Sequence, residues 1–160
     1  MIMRRMKMYP VILLMLFIVP AMTAHAADHG MSHGQPVLEG YSPVSYYERG
    51  RPERGSGQYQ STYRGDVYWF TSAEQKNTFD ANPSAYAPAF PRSCPYNLAQ
   101  GRHEAIDPTN FKIVDGQLLL FHSSPEQDGR KRWEESIVNT GVTEKELLRR
   151  AKSNFINLKF

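Results

Sequence analysis

Two tight-turn signals constrain the fold of this 160-residue chain more than any other feature of its sequence. Asp115-Gly116 is one, and Arg64-Gly65-Asp66 is the other; each stands between two runs rich in aromatic, β-branched or leucine residues. Strand-forming runs on either side of a short glycine-containing turn are typical of a β-hairpin. We therefore predict a small antiparallel sheet of two hairpins. The flanking runs are Gln58 to Tyr63, Val67 to Phe70, Phe111 to Val114 and Leu118 to Phe121.

Helices are predicted on both sides of the first hairpin. Pro43 at or near a first helical position and Gly50 after the end indicate one short helix. Thr71, with Glu74 three places later, indicates a capping box for a second helix that should end before Pro83. The residues of this second helix expected to face the core are Ala73 and Phe79.

The later part of the chain carries further helical signals. Pro95 predicts a short helix through Ala99, closed by Gly101. From about Glu126 onward the pattern is helical, with a second capping box at Thr143-Glu144-Lys145-Glu146. The fold class is therefore α+β, with short packed helices and a helical C-terminal segment. The inward-facing residues expected there are Trp133, Ile137, Leu147, Leu148, Ala151 and Phe155, with Val138 as a further candidate.

The first 26 residues have the pattern of a secretory signal peptide. Residues 1–8 contain three basic side chains and no acidic one, an uncharged stretch follows, and Ala24-His25-Ala26 supplies a small-x-small cleavage site. The uninterrupted apolar run, Val11 to Val19, is shorter than the roughly 20 residues that a membrane-spanning helix needs. We expect cleavage after Ala26, a periplasmic or extracellular location, and no stable membrane insertion afterwards; a retained anchor is the alternative.

The charge balance argues against a nucleic-acid partner. The chain has 19 Lys and Arg residues against 16 Asp and Glu residues. Three of the basic residues lie in the predicted leader, so after Ala26 the two signs are equal in number. Nucleic-acid-binding domains carry a basic patch or stripe, which a balanced exported chain lacks.

An ordered series of short motifs runs through the chain after the leader. The motifs are Gly40 to Tyr47, Gly50 and Gly55, Tyr63 to Gly65, Tyr68 to Ser72, Pro83 to Pro88, Cys94, Asp107-Pro108, Phe111 to Gly116, Leu118 to Phe121 and Trp133. This series resembles that of stand-alone exported YHS-domain proteins. The resemblance covers roughly residues 37–135. It leaves residues 27–36 as a flexible tail rich in histidine and glycine, and residues 136–160 as a C-terminal helical extension.

The resemblance implies association with a heavy-metal ion such as copper. It does not imply any enzymatic reaction. The sequence departs from the family at one place. Such proteins usually read Tyr-Gly-Gly-Tyr-Cys-Ala where this chain reads Phe90-Pro91-Arg92-Ser93-Cys94-Pro95, so the cysteine is kept and the paired glycines are lost.

The predicted mature N-terminus has a metal-binding pattern of its own. Cleavage after Ala26 exposes Ala27-Asp28-His29, in which the terminal amine, two backbone amides and the imidazole supply four nitrogens in a plane. Square-planar nitrogen coordination suits Cu(II) and Ni(II), with copper the higher in the affinity series. Met31 and His33 add a thioether, which suits Cu(I), and a second imidazole. A solvated tail without a role is the alternative.

Cys94 is the second candidate metal ligand, and it is the only cysteine in the chain. A thiolate is a soft ligand for Cu(I) or Zn(II), Arg92 would favour the thiolate, and His103 and His122 would complete a site. His122, directly after a predicted strand, is the better candidate of the two histidines. A lone cysteine packed in the core is the alternative.

The sequence therefore predicts an exported, non-enzymatic protein that binds copper. A rival hypothesis is an accessory module without metal, in which Cys94 is buried and the Tyr41 to Tyr47 surface docks a protein partner. A third is a thiol enzyme with Cys94 as nucleophile and a histidine as base, although no hydrolase signature surrounds the cysteine.

Overall fold

The computed structural model describes residues 34–158. The predicted signal peptide and the predicted tail ligands Ala27, Asp28, His29, Met31 and His33 lie outside the described residues. Within residues 34–158 the protein is α+β, as predicted. Its elements are α1 Ser45–Glu48, β1 Ser56–Tyr63, β2 Asp66–Phe70, α2 Ala73–Ala81, α3 Pro83–Tyr86, α4 Pro95–Ala99, β3 Phe111–Val114, β4 Gln117–Leu120, α5 Gly129–Thr140 and α6 Glu144–Asn157.

Both predicted hairpins are present, and each turns through two residues. β1 pairs antiparallel with β2, and β3 pairs antiparallel with β4. Arg64 and Gly65 have φ values of 54° and 86°, and Asp115 and Gly116 have 49° and 74°. Positive φ at both central residues is the requirement of the type I′ turn, whose twist matches that of paired strands. In the described range, the hairpins form two separate two-stranded sheets rather than one.

The apolar side chains pack into two cores that share β4. The tyrosine core contains Leu118 and Leu120, and the cysteine core contains Leu119 and Phe121, the residue that follows the strand. Successive side chains of a strand point to opposite faces, so β4 contributes to both cores at once. Other members of the tyrosine core are Leu38, Val44, Tyr46, Tyr68, Phe70 and Phe79; other members of the cysteine core are Phe90, Cys94, Leu98, Trp133, Leu147 and Ala151.

A buried polar network explains why the segment after Gly40 contains two serines. The Ser42 hydroxyl donates to Gln75 Oε1 at 2.7 Å, and Gln75 Nε2 donates to Glu48 Oε2 at 3.2 Å. The Ser45 hydroxyl donates to the Ser42 carbonyl at 2.8 Å and accepts from the Glu53 N–H at 3.1 Å. These bonds tie α1 to α2 and to the chain entering β1, and they satisfy polar groups that would otherwise be buried without partners.

The start of α2 was predicted one residue too early. Ser72, rather than Thr71, is the N-cap, and its hydroxyl accepts from the Gln75 N–H at 3.3 Å. Phe79 is fully buried, as predicted, whereas Ala73 is exposed, so the prediction for Ala73 was wrong. Both residues before the helix are good caps, so the sequence alone does not separate them.

The C-terminal helices belong to the same compact unit as the rest of the described chain. The Thr143 hydroxyl accepts from the Glu146 N–H at 3.2 Å, which confirms the start of α6. Asn154 Nδ2 donates to the Leu98 carbonyl at 2.7 Å and joins α6 to α4. The boundary that the resemblance set at residue 135 falls inside α5. Val138 was a candidate for the core, but its side chain is 81% exposed.

None of the helices among residues 34–158 combines the length and the apolar character that crossing a bilayer requires.

Glu144 links the second hairpin to both C-terminal helices. One of its oxygens, Oε1, accepts from Lys112 Nζ at 2.7 Å and from Trp133 Nε1 at 2.9 Å. Partial burial opposes ionisation of Glu144, but these two hydrogen bonds and the Lys112 charge outweigh it and hold its pKa below the usual range. The carboxylate also lies in the first turn of α6, where negative charge is favourable.

We expect Glu144→Gln to lower the free energy of unfolding at pH 7 by about 1 kcal/mol, because the charged acceptor of two hydrogen bonds is lost. Since the folded pKa is depressed, this stabilisation is fully present above the pKa of the unfolded chain and disappears as the pH falls through the folded pKa. The difference between wild type and variant should therefore shrink below about pH 4. Urea denaturation at pH 7 and pH 3.5 measures it, with Glu134→Gln on the exposed face of α5 as control. A difference that does not depend on pH would contradict this account.

Candidate functional site

Cys94 lies at the start of α4, in a loop that its backbone ties down. Its N–H donates to the Glu104 carbonyl at 2.9 Å, and its carbonyl accepts from the Leu98 N–H at 2.9 Å. Pro95 occupies the first helical position, as predicted, where its missing N–H costs nothing. The side chain of Cys94 has no exposed surface and belongs to the cysteine core.

The sulfur of Cys94 packs directly against Gly129, the first residue of α5. A Cβ atom placed on Gly129 would lie only 2.8 Å from Cys94 Sγ and 3.2 Å from the backbone N and O of His122. The Gly129 N–H donates to the His122 carbonyl at 2.9 Å, which holds the two segments together. The thiol therefore fills a tight space among packed backbone atoms.

His122 follows β4, as predicted, and is half-buried. Its Nδ1 lies 3.0 Å from the carbonyl oxygen of Ala105. Because a carbonyl can only accept, Nδ1 carries the proton, and Nε2 is the nitrogen left for a ligand. The atoms through which His122 contacts Gly129 are backbone atoms.

The structure does not gather metal ligands around Cys94. Among residues 34–158, no three His, Cys, Asp or Glu side chains are grouped so that they could hold an ion. His103 is exposed in the connection after α4. The Arg92 guanidinium contacts the Asp66 carboxylate on the surface rather than the Cys94 thiol, so Arg92 does not supply the expected support for a thiolate.

The tyrosines of the proposed docking surface are largely engaged within the fold. Tyr46 is buried, and its hydroxyl donates to the Pro108 carbonyl at 2.7 Å. The Tyr47 hydroxyl donates to the Gly116 carbonyl at 3.1 Å. The Arg54 guanidinium lies over the Tyr41 ring, 4.5 Å from its centre. The Tyr47 bond attaches α1 to the turn of the second hairpin, and Tyr46 has almost no surface left for a partner.

A cleft of about 490 Å³, which the sequence did not predict, opens between the two hairpins and α6. Its lining includes the aromatic residues Tyr63, Tyr68 and Phe155, of which Tyr68 is almost fully buried. Core residues hold these rings in place. Tyr63 and Tyr68 both pack on Phe79, and Phe155 packs edge-on against Phe90. The volume is in the range of small-molecule sites.

The charged lining of the cleft has two cations and one carboxylate. Arg64 and Lys152 line it together with Asp66, whose carboxylate is already paired with Arg92. Gln117, the first residue of β4, also lines it, and its Oε1 is buried without a hydrogen-bond partner in the described chain. No local motif marks these residues, because they come from separate parts of the sequence.

Comparisons with the models of known protein families, with curated proteins and with solved structures found no match to this chain. Its function is therefore inferred from the chemistry of its own residues.

We expect Gly129→Ala to lower the free energy of unfolding by about 1–3 kcal/mol, because the new methyl group overlaps Cys94 Sγ. Most of this cost should vanish when Cys94 is also alanine, since the methyl group then occupies the space of the missing sulfur. A double-mutant cycle by chemical denaturation measures the coupling. Equal costs of Gly129→Ala in both backgrounds would show that the contact with the sulfur is unimportant.

We expect native Cys94 to react with iodoacetamide more than about a hundredfold more slowly than an exposed cysteine, because the reagent reaches the sulfur only when the loop opens. The matched control is the double variant Cys94→Ala, Glu126→Cys, whose thiol lies on the exposed connection before α5. Alkylation is followed by intact mass. Rapid reaction of Cys94 in the folded protein would revive the thiol-enzyme hypothesis.

Proposed function

We propose that this chain is an exported, non-enzymatic protein of the YHS type that binds copper through its N-terminal segment. The observation that carries the proposal is His29 at the third position of the N-terminus that cleavage after Ala26 would create. The leader pattern supports export, and the ordered motifs from Gly40 to Trp133 support the family and its association with metal.

The chemistry of this segment favours copper. The terminal amine of Ala27, the amides of Asp28 and His29 and the imidazole of His29 offer four nitrogens in one plane, the geometry that Cu(II) and Ni(II) prefer. Cu(II) binds such ligands more tightly than Ni(II) does. The thioether of Met31, which suits Cu(I), and the imidazole of His33 are further ligands close by in the same segment.

Burial is the reason to assign copper to the N-terminal segment alone, without Cys94. The sulfur has no exposed surface and packs against Gly129, so an ion at Cys94 would require this packing to open. It would also need further ligands, and the described residues gather none there. The same contacts support a structural role for the thiol.

The test is the intact mass of the protein exported through its own leader, without and with one equivalent of Cu(II). We expect a chain that begins at Ala27 and gains one copper ion that survives a mild chelator. His29→Ala should lose this ion, because only His29 stands at the third position. His33→Ala and Cys94→Ala should both keep it, as matched controls.

Three results would overturn the proposal: a chain that begins elsewhere, copper that is not retained, or equal loss of copper in His33→Ala. The absence of copper from a chain that does begin at Ala27 would favour the accessory module without metal.

A further inference from the structure

The cleft between the two hairpins and α6 has the features of a preformed small-molecule site. Its two accessible aromatic side chains, Tyr63 and Phe155, pack on Phe79 and Phe90 of the two cores. A ligand would therefore meet rings that are already ordered, and little conformational entropy would be lost on binding.

The charge of the cleft indicates an anionic ligand. Arg64 and Lys152 form no ion pair with any residue of the described range, whereas the single carboxylate of the lining, Asp66, is paired with Arg92. Burial, together with the nearby carboxylate of Asp66, raises the pKa of Tyr68, so its hydroxyl stays protonated near neutral pH. Two cations without carboxylate partners would attract an anion to the cleft.

The backbone at Arg64 supports the same conclusion. Arg64 has φ 54°, in the left-handed region where asparagine and glycine are far less strained. Its guanidinium lies over the Tyr63 ring, 5.1 Å from the ring centre, beside the cleft. The turn thus holds a long cationic side chain at a position that favours a small residue, and such strain is often found at binding sites.

Gln117 favours a ligand that carries a hydrogen-bond donor. Its Oε1 is buried and accepts no hydrogen bond from residues 34–158, which is unfavourable for an amide oxygen. Because Gln117 lines the cleft, an N–H group of a bound ligand could supply the missing bond after a small rotation of the amide.

We propose that this cleft binds a small aromatic carboxylic acid that also carries an N–H group, of about the size of an indole carboxylate. The flat ring packs between Tyr63 and Phe155. The carboxylate pairs with Arg64 and Lys152, and the N–H donates to Gln117. This site is independent of copper, because none of the residues that form it belongs to the proposed copper segment.

Indole-3-acetate is the probe, titrated into the full exported protein by calorimetry. Indole-3-acetamide lacks the charge, and benzofuran-3-acetate lacks the N–H. We expect saturable binding of indole-3-acetate that weakens with added salt, and weaker binding of both analogues. No saturable binding up to about 1 mM, or equal binding of the acetamide, would overturn the proposal.

Three variants locate the site. Lys152→Met should weaken binding of the probe by about three- to tenfold, whereas Lys145→Met, an exposed lysine on the same helix, should leave it unchanged. Arg64→Asn should weaken binding by a similar factor and keep or raise the melting temperature, because asparagine tolerates the left-handed turn. Gln117→Leu should remove the preference for indole over benzofuran.

Chemical-shift changes in the amide spectrum should cluster at residues 63–68, 117 and 152–155. Equal loss of binding in Lys145→Met, or shift changes away from these residues, would show that the probe binds elsewhere. An Arg64→Asn variant that stays folded and binds the probe with full affinity would exclude Arg64 from the site.

Discussion

Burial of both faces of β4 is the constraint on which the rest of this structure depends. Leu118 and Leu120 enter the tyrosine core, and Leu119 and Phe121 enter the cysteine core. A hairpin of two short strands is barely stable by itself, so these cores must stabilise it from both sides. Since both faces are apolar, polarity does not select the register. The two-residue Asp115-Gly116 turn fixes the register instead. A slip by one residue would move each side chain of β4 into the opposite core.

Backbone hydrogen bonds of β4 and of Phe121, the residue that follows it, also position the neighbouring segments. The Leu118 carbonyl accepts from the Ala89 N–H at 3.0 Å, which holds the segment before Cys94 beside the strand. At the other end, the Phe121 N–H donates to the Asn110 carbonyl at 2.7 Å, and the Phe121 carbonyl accepts from the Asp107 N–H at 2.9 Å. Ala89 and Gln117 both line the cleft. The cysteine loop begins a few residues after Ala89, so the bond to Leu118 also holds the chain that leads into it.

The sequence predicted the features that depend on neighbouring residues and missed those that depend on distant ones. Turn chemistry is local, so both hairpins were located to within one or two residues. The start of α2 was ambiguous, because Thr71 and Ser72 can both cap a helix. Gly129 decides how tightly Cys94 is packed, and no local pattern relates the two. The lining of the cleft comes from separate segments, so it emerged only with the fold. The YHS resemblance and the copper segment rest on sequence and stay predictions.

The candidate residues at the cysteine and those in the cleft differ in how much their packing depends on the fold. Cys94 and Gly129 fill one tight space, so changing either one disturbs the core, and their pairing is explained without any ligand. Arg64 and Lys152 are exposed, form no ion pair within residues 34–158, and in the case of Arg64 occupy a strained turn. Two cations that the described part of the chain leaves unpaired, beside an unsatisfied amide and the aromatic side chains of Tyr63 and Phe155, are therefore better candidates for binding than the buried cysteine.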